Sequence, residues 1–553
     1  MANQFSRSFF VFLGLLLLIN LIQAYFTPII YDEAYYWYYS QDMAWGYFDH
    51  PPMVAFLVKL SGLLFSQELG VRFMGCILSG ATALILWLLI APPEKKKYVP
   101  HFFLLLFSMV LFNAYGFLSL PDTPLLFFTA AFLLAYKKFL EKESIGLALL
   151  LGVLMAALLY SKYHAVLVIF FVLISNLSLL KNKYAWLALA VAVVVYLPHL
   201  NWLYQNDFIS VKYHLFERPN QPYDFAEFTL GYVLNLIVNF GLLFPWFYWA
   251  LITTKPKDLF TKSLVYLSYG IIFFFFLSSF QRRAQAQWVI VICVPMMVLV
   301  FPYLIANAKG RRWMFRLGMT SLLLLFYARA WLLYQPLIPF IGYETHGPKQ
   351  WVKTLNTIVG DTPVVFENSY RRAPMYAFYS GNAAFSLNNI YYRQNQYSID
   401  ASEAKMQHRR VAYVTPFAKT GDFSYVPVRS NRYFGWYMDD FESYRKLRCY
   451  LDENALDLTQ ENQIVKIYNP YRDTIPIEKI KLNIAYLDQY KDIMEIRSLS
   501  SDPKKNRFLK PMDTTSWYYT LPKPKKGNPR FVKFSISENG LQSGINSQSI
   551  KVK

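Results

Sequence analysis

The first 334 residues repeat one pattern: an apolar block, then a short polar loop. The blocks are about 17–23 residues long, enough to cross roughly 30 Å of hydrocarbon as a helix. They predict spans near 8–30, 70–91, 101–118, 123–137, 145–160, 165–180, 185–202, 229–252, 263–280, 287–307 and 314–334. The first block is too long for a cleaved leader, and the stretch after it, Tyr25-Phe26-Thr27-Pro28-Ile29-Ile30, lacks a small-x-small cleavage site, so it reads as a retained span. After Ala330 the pattern changes. Residues 335–553 lose long apolar runs and gain short β-rich stretches at 363–366, 410–414 and 463–468. The expected organisation is therefore a membrane domain over 1–334, a soluble α/β or mostly β domain over 335–500, and a basic tail or small β unit over 501–553. That last stretch carries Lys504, Lys505, Lys523, Lys525 and Lys526 and a strand-like run at 530–536.

Composition agrees. The chain is 55% hydrophobic and 19% aromatic over 553 residues, too apolar for a soluble protein of this size. The fold class is a polytopic α-helical membrane protein with about 11 spans and a soluble domain at its C-terminal end. The net charge of +20 does not signal nucleic-acid binding, because the cations of the membrane half sit mostly in short loops. One set of loops holds about 16 cations, including Arg7, Lys95 to Lys97, Lys137, Lys138, Lys255, Arg311 and Arg312, against about 7 in the other set. The richer set is assigned to the cytoplasm, which puts the N-terminus inside and the C-terminal domain outside. Cys76, Cys293 and Cys449 are far apart and form no disulfide or zinc pattern.

The same charge count gathers every chemically distinctive motif on the outer face. Asp32 and Glu33 follow the first span directly. A carboxylate is a poor membrane anchor and would cost about 2.5–3.5 kcal/mol at mid-bilayer, so this pair suggests chemistry at the water–lipid boundary. A helix is expected from Glu33 to Asp42, rich in rings including Tyr35, Tyr36 and Trp37. Those rings suit an aromatic belt, and they also suit stacking on sugars. Asp49-His50-Pro51-Pro52 fixes an acid and an imidazole on a stiff corner, or caps the next helix. Pro121-Asp122-Thr123-Pro124 offers a further acid, with the same capping alternative. Lys162, His164, Lys212, His214, Arg218, Arg282 and Arg283 supply cations, the arginines being suited to phosphate. Asp49, Asp122 and His50 are the residues that would hold a divalent cation if one is used. No P-loop or dinucleotide fingerprint occurs. A carboxylate base, phosphate-binding cations and stacking rings at a membrane surface suit transfer of a sugar from a lipid phosphate to a hydroxyl.

Taken together, Asp32-Glu33 after the first span, Asp49-His50-Pro51-Pro52, Pro121-Asp122-Thr123-Pro124-Leu125, Leu159-Tyr160-Ser161-Lys162-Tyr163 and Pro198-His199-Leu200-Asn201-Trp202 with Gln205-Asn206-Asp207 resemble the bacterial protein-mannosyltransferase-like glycosyltransferases, GT-C-fold membrane enzymes related to the dolichyl-phosphate-mannose protein mannosyltransferases and to the lipid A aminoarabinose transferases. The resemblance covers roughly residues 5–330. It implies a polyprenyl-phosphate sugar donor such as undecaprenyl phosphate, inversion at the anomeric carbon, a bacterial inner-membrane location, and a hydroxyl acceptor on protein, lipid or envelope glycan. It also implies Asp32 as the essential acid with Glu33 beside it, and Asp122 as a second recurrent acid. His50 stands where aminoarabinose transferases carry Lys, which argues against that particular sugar. Two other classes remain to be discriminated: a lipid-linked-sugar flippase, whose charges would lie at mid-membrane, and a glycan-binding envelope scaffold, which would leave Asp32 and Glu33 without a role.

Overall fold

The computed structural model describes residues 5–218, 221–427, 431–453, 455–501 and 507–553, so Lys504 and Lys505 lie outside the described residues. The chain divides into two compact units, Met1–Phe208 with Tyr223–His346, and Ile209–Pro222 with Gly347–Lys553.

The first unit is helical. Among the described residues, seven helices are long and apolar enough to cross a membrane: Arg7–Phe26, Gln67–Leu89, Asp122–Glu141, Lys183–Gln205, Ala226–Thr253, Leu259–Ser278 and Ala308–Leu333. Four shorter apolar helices accompany them, Met53–Leu64, Ile145–Ser161, Tyr163–Ser175 and Ile290–Ala306. The span expected over 101–118 is instead two helices, Val99–Ser108 and Val110–Ala114, broken at Met109. Ser6 opens the first helix by accepting the Phe9 N–H. Thr27, extended ahead of Pro28, closes it, as the residue before a proline commonly does. The outer-loop helix runs Tyr31–Gln41. Helix Ile145–Ser161 lies close against Lys183–Gln205 because Gly152 leaves room; a Cβ there would sit 2.5 Å from the Ala188 carbonyl oxygen. That contact sets the spacing between Lys162, which ends one helix, and His199 on the other.

The second unit opens with the amphipathic helix Pro348–Val359, which buries Trp351, Val352, Leu355 and Val359. A five-stranded sheet follows, made of β1 (Val364–Glu367), β2 (Ala384–Leu387), β3 (Val411–Thr415), β4 (Phe423–Tyr425) and β5 (Tyr433–Met438). Its order is β2-β1-β3-β5-β4. Strand β1 is parallel to β2 and β3, with the crossover helix Arg372–Ser380 between β1 and β2. The remainder is β, antiparallel except where Ile550–Val552 pairs in parallel with Ala455–Leu456, and it closes a core that includes Val465, Ile467, Ile484, Trp517 and Phe534. Both halves of the expectation, α/β and mostly β, are present, one after the other.

The 501–553 stretch is not a separate unit. Thr514–Thr520 pairs along its length with Asn462–Tyr468, and Phe531–Glu538 pairs with Ile480–Leu487. Residues 209–222 also join this unit: Glu217 accepts from the backbone N–H of Ser549 (3.1 Å) and from its hydroxyl (2.9 Å), with Lys491 and Lys533 each 3.7 Å away.

Candidate active site

Asp32 and Glu33 occupy the first turn of Tyr31–Gln41, and successive helical positions point about 100° apart. Glu33 turns inward and is fully buried. Its Oε1 accepts from Arg72 Nε (2.7 Å) and the Ser119 N–H (2.9 Å); its Oε2 accepts from Arg72 Nη2 (2.5 Å) and the Ile30 N–H (3.1 Å). Arg72, also fully buried, donates further to the carbonyls of Ala24, Thr27 and Pro28. This one ion pair therefore ties the end of the first helix, the Asp32 helix, helix Gln67–Leu89 and the loop ahead of Asp122. Asp32 itself is half-buried.

Asp122 begins its helix instead of capping it from outside, and its Oδ1 lies 2.7 Å from Lys162 Nζ, both side chains being buried. Asp122 and Asp32 come into one neighbourhood around Tyr115, which lies within electrostatic reach of both and of Tyr343. Phe117 is buried beside two arginines. Its ring has Arg329 on it at 4.7 Å and Arg72 at 6.0 Å. Arg329, in the last long helix, is held by the Asn113 side chain (2.7 Å) and the Asn20 side chain (2.9 Å).

Asp49 does not cap Met53–Leu64, whose N-cap position is Pro52. Instead its carboxylate accepts from the Tyr35 hydroxyl at 3.1 Å. His50 packs edge-on to Tyr36, 5.7 Å between ring centres. Tyr39 and Tyr47 stack at 4.2 Å. His199 donates from Nδ1 to the Trp45 carbonyl (2.6 Å), so its Nε2 accepts from the Tyr163 hydroxyl (3.3 Å), and Trp202 stacks beside it. The rings of the outer loop thus form a wall braced by helix Lys183–Gln205.

The remaining sequence candidates are dispersed. Arg283 faces Glu227 at 3.9 Å with both side chains exposed, and Arg282 adjoins it on the same turn. Arg218 and Lys212 belong to the second unit. Among the described residues no three His, Cys, Asp or Glu side chains converge as a metal site, so Asp49, Asp122 and His50 do not form the cation site considered above. Asp122 has its charge met by Lys162 instead. Sequence reasoning missed Arg72, Arg329, Tyr115 and Tyr343. The two arginines were detectable as charges inside apolar spans, which require buried partners. Tyr115 closes the apolar stretch expected as a span over 101–118, where a single tyrosine gives no signal, and Tyr343 lies in a connector without a periodic pattern.

Residues 49–202 match a family model described as dolichyl-phosphate-mannose-protein mannosyltransferase. A curated relative, lipid A galacturonosyltransferase RgtD of Rhizobium johnstonii, is 29% identical over 281 residues, which are 48% of this chain. The matched region spans 58% of that relative's length. Two crystal structures of ArnT from Cupriavidus metallidurans, one apo and one bound to undecaprenyl phosphate, share the fold with a TM-score of 0.53. They are 13% identical to this chain and cover 77% of it, and 96% and 97% of their own chains.

Proposed function

We propose, on the premise that this chain belongs to the GT-C-fold family of membrane glycosyltransferases, that it moves a sugar from a polyprenyl-phosphate donor to a hydroxyl acceptor with Asp32 as general base. Asp32 takes the acceptor proton as the oxygen attacks the anomeric carbon from the face opposite the phosphate. The bond from that carbon to the phosphate oxygen breaks, the phosphate leaves with the electron pair, and configuration inverts. Arg282 and Arg283, with His50 when protonated, are the candidates for meeting the departing charge, Lys162 being paired with Asp122. Tyr35 orients Asp49, and the ring wall gives the sugar a stacking surface.

One observation carries this reading. Four donors close off Glu33, while Asp32, its neighbour, stays half-exposed and shares the surroundings of Tyr115 with Asp122. Glu33 is therefore a positioning residue and not a second base. The lipid A named for the curated relative, and the undecaprenyl phosphate named for one ArnT structure, support a lipid-linked donor and a glycolipid acceptor. The orientation inferred from loop cations supports a reaction on the outer face of a bacterial inner membrane.

The test is Asp32→Asn in nanodiscs, assayed with a polyprenyl-phosphate sugar and a glycolipid acceptor. Turnover is expected to fall by about 10²–10⁴, the usual worth of a positioned general base, with donor binding unchanged. Wild-type turnover by this variant would refute the assignment.

A further inference from the structure

Two buried arginines of the membrane unit share the Phe117 ring, and they are satisfied differently. Arg72 meets a carboxylate, Glu33. Arg329 meets only neutral oxygens. Its Nε donates to Asn113 Oδ1 (2.7 Å), and its Nη2 donates to Asn20 Oδ1 (2.9 Å) and to the Asn113 carbonyl (2.8 Å). A guanidinium carries five N–H donors, so these bonds leave the pair on Nη1. Among the described residues, Nη1 is buried with no hydrogen-bond partner and no carboxylate pairs with Arg329. The residue is only 5% exposed.

Arg329 also lines a cavity with Leu16, Asn20, Ser79, Phe107 and Asn113, and there is room in it for about one water-sized occupant. Two needs therefore meet at one place: donors that require an acceptor, and a positive charge that requires a negative one. A water molecule would answer the donors alone. The rings of Phe107 and Phe117, centred 5.8 and 4.7 Å from the guanidinium carbon, answer part of the charge. That attraction is smaller than the cost of taking an unpaired ion out of water. A small anion answers both needs. Ser79 and Asn20 bring a hydroxyl and an amide to the same cavity, and both groups can donate to it.

We propose that Arg329, with Asn20 and Ser79, forms a binding site for one small monovalent anion, a halide such as chloride, inside the membrane unit. The size of the cavity excludes phosphate, sulfate and organic acids. The site lies where three segments join. Asn20 belongs to the first helix, whose Gln23 Nε2 also donates to the Arg329 carbonyl (3.1 Å). Asn113 belongs to the short helix Val110–Ala114, just ahead of Tyr115. Arg329 belongs to the last long helix. Neutralising Arg329 therefore stabilises the join on which the Tyr115 segment rests, whatever reaction the protein carries out.

The experiment measures thermal unfolding of the full chain in nanodiscs, in sodium chloride and in sodium gluconate at equal ionic strength, for wild type, Arg329→Gln and Asn20→Asp. Wild type should unfold about 2–4 °C higher in chloride, with a dependence on chloride that saturates. Arg329→Gln removes the charge and should lose that dependence. If this variant fails to fold, Asn20→Asp decides. Its carboxylate replaces the amide whose oxygen lies 2.9 Å from Nη2, so the chain itself supplies the counter-charge. Asn20→Asp should be insensitive to chloride and, in gluconate, as stable as wild type is in chloride. Equal unfolding temperatures for wild type in the two salts would show that Arg329 takes no halide and would overturn the inference. A chloride effect of wild-type size in either variant would overturn it too, as would failure of Asn20→Asp to fold.

Discussion

Two buried ion pairs, one in each unit, are built in opposite ways. In the membrane unit, Glu33 receives two bonds from Arg72 and two from backbone N–H groups, so every lone-pair direction is met. In the second unit, Arg445 Nε lies 3.2 Å from Glu538 Oε1, and among the described residues neither the Arg445 Nη atoms nor Glu538 Oε2 find a hydrogen bond. Burial accordingly pushes the Glu538 carboxyl up to about 7, with Arg445 only partly opposing the shift and nearby Glu403 adding to it. A buried charge is held by the number of well-directed donors around it more than by the nearness of an opposite charge. The membrane unit meets that condition beside the proposed base. The second unit does not, and its pair is open to protonation near neutral pH.

Removing one side of the well-built pair should have the largest effect. Arg72→Ala leaves Glu33 buried without its partner and should cost about 3–5 kcal/mol, measured by thermal unfolding in detergent or nanodiscs. Lys162→Ala should cost less, because Asp122 keeps the favourable end of its helix. Pairing it with Asp122→Asn in a double-mutant cycle should restore part of the loss; strict additivity would show the two groups to be uncoupled. The smallest effect is a pH slope. Glu538 binds its proton more tightly folded than unfolded, so the stability from this group is full below about pH 4.5 and declines as pH rises toward 7. The decline is on the order of 3 kcal/mol, and Glu538→Gln should flatten it in unfolding curves that report on the second unit. An unchanged slope in that variant would mean the comparison is drawn on the wrong pair.

The apolar blocks made the membrane spans legible, since length and composition fix them locally. Asp32 stood out for the same reason. What the sequence could not separate was Asp32 from Glu33, because their roles diverge only through Arg72, 39 positions away. Asp49 and Asp122 both read as helix caps beside prolines. In the fold one is held by a tyrosine and the other by a lysine, contacts made across the bundle. The 501–553 stretch looked detachable because its basic loops hide strands whose partners begin about fifty residues earlier.

The chain enters the second unit twice, first as residues 209–222 and again from Gly347. A fragment excised at Gly347 would therefore lack Glu217, and Lys533, half-buried against that carboxylate, would lose its counter-charge. The second unit is not one continuous stretch of chain. To be studied alone it must carry its short upstream insert, supplied as a fused or added peptide.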